Sequence, residues 1–149
     1  MANAIYWDTS ALIKLYASEP DSSNYLRLLI HQSEDLAISF LHRVELYFAL
    51  CGKESRGEIA SGSAKRLFQL FEQHVRAGRY YLIPWGEDVG IATRQLRDAF
   101  LSASPPAMLR SLDGLHLGAL RAAKIQSVVT ADMRMRDAAR IAAIGVIEP

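Results

Sequence analysis

The stretch Ala4-Ile5-Tyr6-Trp7-Asp8-Thr9-Ser10-Ala11-Leu12 decides how this chain is read. Its first four residues form an apolar run of strand length, and the Asp-Thr-Ser that follows carries the side-chain oxygens that start helices. A strand that hands over directly to a helix opens a βα unit. The same stretch sets a carboxylate, Asp8, beside apolar residues, where a lone charge is costly to bury.

Three further acids repeat this setting. Glu45 lies within Leu41 to Leu50, Asp113 precedes Leu115 to Leu120, and Asp132 follows Val128-Val129-Thr130. Each of the three aspartates has a plain structural reading. Asp8 would cap a helix, Asp132 would close a turn, and Asp113 would favour a helix dipole. Glu45 is harder to explain this way, because its neighbours at helical spacing are Leu41, His42, Phe48 and Ala49. The cost of all four is relieved together if they face one another around a cation.

Working outward, apolar runs and breakers alternate along the chain. Strands are expected at Ala4–Trp7, Leu36–Phe40, Tyr80–Ile83, Ser127–Thr130 and Gly145–Ile147. Helices are expected after Asp8 and over Asn24–His31, His42–Cys51 with Gly52 ending it, Ala64–Arg76, Val89–Leu101, Met108–Ala123 and Met133–Ala143. Strands separated by helices predict an α/β fold with three layers (α/β/α) and a mostly parallel central sheet. Ligands gather at the carboxyl ends of such strands, and Asp8 and Asp132 each follow one.

The chain has 149 residues, 50% of them hydrophobic and 22% charged, which suits one domain spanning residues 1–149. Cys51 is the only cysteine, so no internal disulfide or thiolate metal cluster is available. A net charge of +1 does not announce a nucleic-acid binder. No apolar run approaches the roughly 20 residues of a membrane helix, and no signal peptide is evident, so no membrane partner and a cytoplasmic location are expected.

The four acidic stretches resemble, in order, the motifs of the PIN-domain family, and within it the VapC-type toxins of prokaryotic toxin–antitoxin pairs. Tyr6 to Leu12 is similar to the first motif, and Arg43-Val44-Glu45-Leu46 to the helical glutamate motif. Ser111 to Leu117 is similar to the third and Thr130-Ala131-Asp132 to the fourth. Gly114 stands where the family more often has alanine, and Met133-Arg134-Met135 is an unusual sequel to the last acid.

The resemblance implies a metal-dependent endoribonuclease with Asp8, Glu45, Asp113 and Asp132 as its catalytic set. Carboxylates without histidine or cysteine partners favour hard cations, so magnesium is expected, with manganese as the substitute. Asp8 and Asp113 are the expected direct ligands, with Glu45 and Asp132 acting through water or at a second site. Such an ion would lower the pKa of a bound water and polarise the scissile phosphate. Thr9, Ser10 and Thr130 would cap helices or hold metal waters, and Lys14, Arg43, Arg110, Arg134 and Arg136 would grip an RNA backbone.

His116, one turn beyond Asp113, reads as a satisfied core histidine and stays outside the catalytic set. Trp7, Tyr16, Tyr47 and Trp85 read as packing groups. The resemblance also implies an RNA substrate, a VapB-type antitoxin and a homodimer, for which the helices between Asn24 and Leu50 offer a surface. Two other functions compete. One is an α/β phosphoryl-transfer domain with Asp8 as phosphoacceptor, which lacks the neighbouring acids or the Asp-x-Asp it should show. The other is a non-catalytic PIN-like interaction module.

Overall fold

The computed structural model describes residues 3–149, so the first two positions of the expected 1–149 domain lie outside the described residues. The chain runs β1 (Ala4–Trp7), α1 (Thr9–Leu12), a 3-10 turn (Ile13–Leu15), α2 (Ser22–His31), β2 (Asp35–Ile38), α3 (Phe40–Ser55) and α4 (Ser63–Arg76). It continues as β3 (Tyr81–Leu82), α5 (Glu87–Ser102), α6 (Ser111–Ala122), β4 (Ser127–Val129), α7 (Met133–Ile141) and β5 (Gly145–Ile147).

The five strands lie in the order β3-β2-β1-β4-β5, and every pairing is parallel. Successive side chains of a strand point to opposite faces, so β1 feeds two cores. Tyr6 joins Ala37 and Val128 beneath α5, α6 and α7, whose contributions include Leu96, Phe100, Leu117 and Met135. Ile5 and Trp7 join Leu36, Ile38 and Val129 beneath α1 to α4, with Tyr25, Leu46, Leu50 and Phe71. This is the expected α/β/α sandwich. Among the described residues, no helix is long and apolar enough to cross a membrane.

Strand β1 lies between β2, which follows it in sequence, and β4, reached only after the chain has crossed back. The carboxyl ends of β1 and β4 therefore flank a topological switch point, where parallel sheets open a crevice. The Asp8 N–H donates to Val129 O at 3.1 Å and fixes the two strand ends together.

Several boundaries differ from expectation for local reasons. The second strand stops at Ile38, not Phe40, because Ser39 caps α3: its hydroxyl oxygen accepts the Leu41 N–H, and its own N–H donates to His42 Nδ1. Gly52 does not end α3, which runs on to Ser55; Gly57, at φ +72°, takes the left-handed position after it. Helix α6 starts at Ser111 instead of Met108, since Arg110 is extended and the preceding loop is tied by Ala107 N–H to Phe100 O. The Tyr80–Ile83 strand pairs only over Tyr81–Leu82 at the sheet edge. Helix α7 ends at Ile141, because Ala143 turns to φ +55° while its N–H and that of Ile144 return to Arg140 O and Ala139 O.

Helices α5 and α6 cross closely at Gly118. A Cβ there would lie 1.9 Å from Thr93 Oγ1 and 3.0 Å from the Thr93 backbone nitrogen. The Thr93 hydroxyl is itself fixed by donating to Val89 O at 2.7 Å. One turn earlier, a Cβ on Gly114 would make an ordinary 3.7 Å contact with Thr93 Cγ2. Opposite outcomes are therefore expected from two alike substitutions, measured by urea unfolding. Gly118→Ala should destabilise by about 1–3 kcal/mol through overpacking, and Gly114→Ala should stabilise by about 0.5–1 kcal/mol.

Candidate active site

Asp8, at the end of β1, is 3% exposed. It caps α1, with Oδ1 accepting the Ala11 N–H at 3.0 Å and the Ser10 hydroxyl at 2.7 Å. Oδ2 accepts the Thr130 hydroxyl at 2.6 Å, so the residue after β4 holds the residue after β1. Thr130 Oγ1 in turn accepts the Asp132 N–H at 3.1 Å, and Ser10 Oγ accepts the Ala131 N–H at 3.0 Å. The capping reading of Asp8 holds, and the same carboxylate lines the cleft described below. Burial raises the Asp8 pKa above its ordinary value, and the nearby His116 ring together with these donors offsets only part of that rise.

Glu45, on α3, reaches the same cleft. Its Oε1 accepts the Thr9 hydroxyl at 3.1 Å and meets His116 Nε2 from α6. Burial pushes its pKa up, but the hydrogen bond and electrostatic attraction of His116, together with the Thr9 hydroxyl, win and hold the carboxyl below its usual value. Asp113 is in the first turn of α6, buried, with its Oδ2 accepting Arg110 Nε–H at 3.0 Å. Asp132 caps α7 by accepting the Arg134 N–H at 2.8 Å, and its Oδ2 lies 3.8 Å from the Arg110 guanidinium.

All four acids line one cleft of about 470 Å³, together with Thr9, Ser10, Arg110 and His116, against an apolar wall that includes Val44, Phe48 and Leu112. Four separate elements are brought to one place. Even so, among the described residues no three His, Cys, Asp or Glu side chains are grouped to hold one ion. The carboxylate oxygens of the cleft are donors of the kind that hard cations take, and a cation that keeps several waters needs only one or two of them directly.

Of the five basic residues expected to grip RNA, only Arg110 lines the cleft. Lys14 is buried on the 3-10 turn and committed to Glu19 and Asp21 at 2.5 and 2.7 Å. Arg43 faces Glu72 at 3.4 Å, and Arg136 donates to Thr130 O and pairs with Glu148. Arg134 is exposed, and what it gives the site is a backbone N–H. Trp7 is fully buried, while Tyr47 packs at a tilt against Phe68 and Trp85 against Phe40, each partly exposed.

Three residues with a part in the site were not singled out for it. His116 is a satisfied core histidine, 1% exposed, yet one of its partners is Glu45. Tyr6 and Ser39 lie behind it, with Tyr6 Oη 2.7 Å from His116 Nδ1 and 2.8 Å from Ser39 Oγ. The three-residue spacing of His116 from Asp113 was the one visible signal for this arrangement.

A parallel α/β/α domain with a carboxylate-lined cleft at its switch point is the class that this fold and site define. The PIN domain matches residues 5–141, and the chain belongs to the PIN-domain family. It is 36% identical to Ribonuclease VapC47 of Mycobacterium tuberculosis (strain CDC 1551 / Oshkosh) over 131 residues, covering 85% of this chain and 80% of that protein. It is 31% identical to Ribonuclease VapC46 of M. tuberculosis (strain ATCC 25618 / H37Rv) over 148 residues, covering 98% of both. Among solved structures, DNA-bound VapBC from Salmonella typhimurium shares the fold with a TM-score of 0.69 at 20% identity, over 99% of this chain and 98% of that one.

The raised pKa of Asp8 has a direct thermodynamic consequence. An acid whose folded-state pKa exceeds its unfolded value gives stability that is complete below the unfolded pKa, about 4, and lost as pH rises through the folded one. In chelator near neutral pH, Asp8→Asn is therefore expected to melt at or above the wild-type temperature. The gap should close as pH falls toward about 4, where Asp8 is protonated in both states. Calorimetry across this range checks it, and a variant that melts well below wild type at neutral pH would contradict it.

Proposed function

We propose that this chain is a divalent-cation-dependent endoribonuclease, the toxin of a VapBC-type toxin–antitoxin pair, with Asp8, Glu45, Asp113 and Asp132 as its catalytic residues. The observation that carries the reading is the meeting of these four carboxylates, from β1, α3, α6 and α7, in one cleft. The relatives named as VapC ribonucleases support the same activity. The fitting ion is magnesium, with manganese as a substitute, which Asp8 and Asp113 would hold directly and Glu45 and Asp132 would hold through water or at a second site. When bound, it would supply Lewis-acid polarisation of a phosphate and a more acidic water.

The chain's own residues supply the rest. Ser10, Thr130 and the Ala11 N–H keep the Asp8 carboxylate facing the cleft without a counter-charge of its own. Glu45, held ionised at neutral pH by His116 and Thr9, is able to accept a proton from water attacking the phosphate. Water adds to phosphorus as its proton goes to the carboxylate, the P–O3′ bond breaks, and the 3′-oxygen takes a proton from solvent, so the products carry a 5′-phosphate and a 3′-hydroxyl. Arg110, 73% exposed and already beside two acids, is placed to swing onto a phosphate oxygen of the RNA.

The solved complexes of VapC-like chains with antitoxins support a VapB-type partner here. The apolar wall of Val44, Phe48 and Leu112 beside the acids suits an antitoxin segment that pairs apolar residues with an arginine. Homodimerisation is part of the same reading, and the exposed Leu26 and Ile30 of α2 offer apolar surface for it.

The test is cleavage of a mixed RNA pool by wild type, Asp8→Asn and Asp113→Asn, with magnesium, with manganese and with excess chelator. Wild type with either metal should cut and leave 5′-phosphate ends. Chelator, or either substitution, should cut the rate roughly a hundredfold or more. Equal cleavage in all arms would refute the assignment, and no cleavage by metal-loaded wild type would favour the interaction-module alternative.

A further inference from the structure

Behind Glu45 lies a chain of buried polar groups. His116 is 1% exposed, and Tyr6 and Ser39 are fully buried. His116 Nε2 meets Glu45 Oε1, His116 Nδ1 lies 2.7 Å from Tyr6 Oη, and Tyr6 Oη lies 2.8 Å from Ser39 Oγ. Four residues from β1, the β2–α3 junction, α3 and α6 are thereby linked. The ring of His116 is also wedged edge-on against His42 at 5.2 Å and tilted against Tyr6 at 5.7 Å, so it has little freedom to turn.

The direction of the chain follows from its closed end. Ser39 Oγ accepts the Leu41 N–H and, in the capping box, the His42 N–H, so Tyr6 Oη is the one acceptor among the described residues for its proton. The Ser39 proton must therefore be given to Tyr6. Tyr6 then gives its own proton to His116 Nδ1, which becomes an acceptor, and the ring proton is left on Nε2, facing Glu45. Reversing the chain would leave the buried Ser39 hydroxyl proton without an acceptor, at a cost that the interior does not tolerate cheaply.

Neighbouring His42 obeys the same logic. Its Nδ1 accepts the Ser39 N–H at 3.0 Å, so Nε2–H donates to Trp7 O at 2.6 Å, and burial lowers its pKa to about 3. The His42 ring, neutral at ordinary pH, thus clamps the residue just before Asp8.

We propose that His116 is a positioning residue for Glu45: its Nε2–H, with the ring oriented by Tyr6 and Ser39, anchors Oε1 and leaves Oε2 to act in the cleft. Glu45 sits on a long side chain that would otherwise sample several rotamers, and fixing it is worth most where a proton or a water must be met at a set distance. Oε1 takes both Thr9 and His116, while Oε2 has no hydrogen-bond partner among the described residues. The role of Oε2 in catalysis rests on the ribonuclease reading above, whereas the tautomer and the anchoring of Oε1 do not.

The experiment has a spectroscopic arm and a kinetic arm. In the metal-free wild type, nitrogen–proton NMR correlation of His116 should show a proton on Nε2 held in a hydrogen bond. Glu45→Gln should move the Nε2 signal, and Tyr6→Phe should move the Nδ1 signal. A ring without a proton on Nε2, or signals indifferent to both substitutions, would overturn the proposal. In metal-loaded protein, His116→Leu should lower kcat about 10- to 100-fold with little change in KM for RNA. His116→Gln, whose amide N–H can still reach Glu45, should recover part of that loss. A folded leucine variant with wild-type kcat, or glutamine and leucine variants equally impaired, would reduce His116 to a packing role. Should the leucine variant not fold, Tyr6→Phe kinetics and the wild-type spectrum decide. If metal-loaded wild type cuts no RNA at all, the ribonuclease reading fails, while the spectra still decide how Glu45 is held.

Discussion

A carboxylate kept out of water at the end of the central strand is the constraint around which the rest of this molecule is arranged. Asp8 cannot be solvated where it sits, so its oxygens are satisfied by a helix N-terminus and by two hydroxyls, one of which reaches across from the end of β4. Those contacts make the β1–β4 junction rigid at the one place where the sheet changes direction. They also keep a negative charge in a setting of low polarity, where its interaction with a cation is strong and its cost to the metal-free fold is real. Stability has been traded for electrostatic readiness at a single residue.

The alternation of β1 explains how the two helical layers come to serve one site. Tyr6 points toward the layer of α5, α6 and α7, and Trp7 points toward the layer of α1 to α4. Asp8 then emerges at the edge between them. The tyrosine hydroxyl carries the link onward to Ser39 and His116, so the start of α3 and the middle of α6 are registered against the same strand. The close crossing at Gly118 sets the height of α6 and, with it, where Asp113 and His116 stand. Packing and polar geometry are therefore one problem here: a shift of α6 away from α5 would move an acid and a histidine together.

Much of this was readable from residue order. A strand-length apolar run followed by Asp-Thr-Ser announces both the βα opening and the edge on which Asp8 must lie, and Asp132 announces itself the same way after β4. Glu45 was visible because a glutamate amid apolar helical neighbours needs a reason. Misreadings arose where a residue's direction depends on distant partners. Lys14 is close to Asp8 along the chain, but its turn points it at Glu19 and Asp21. Gly52 has the composition of a stop signal, yet α3 continues because nothing there requires a left-handed residue, and Gly57 takes that position instead. His116 reads as core material, and it is; that its buried partner would be Glu45, 71 positions away, is not written in any local pattern.

Local chemistry by itself determined the alternation of strands and helices, the parallel sheet and the four carboxylates with their chain neighbours, because periodicity, capping and the cost of buried charge act over a few residues. The folded arrangement alone decided that these acids share one cleft, that Arg110 is the one expected RNA-gripping cation to face it, and that Ser39, Tyr6 and His116 hand a hydrogen-bond direction to Glu45. Contacts of that kind span strands, helices and layers, and their energies exist only once the chain has closed on itself.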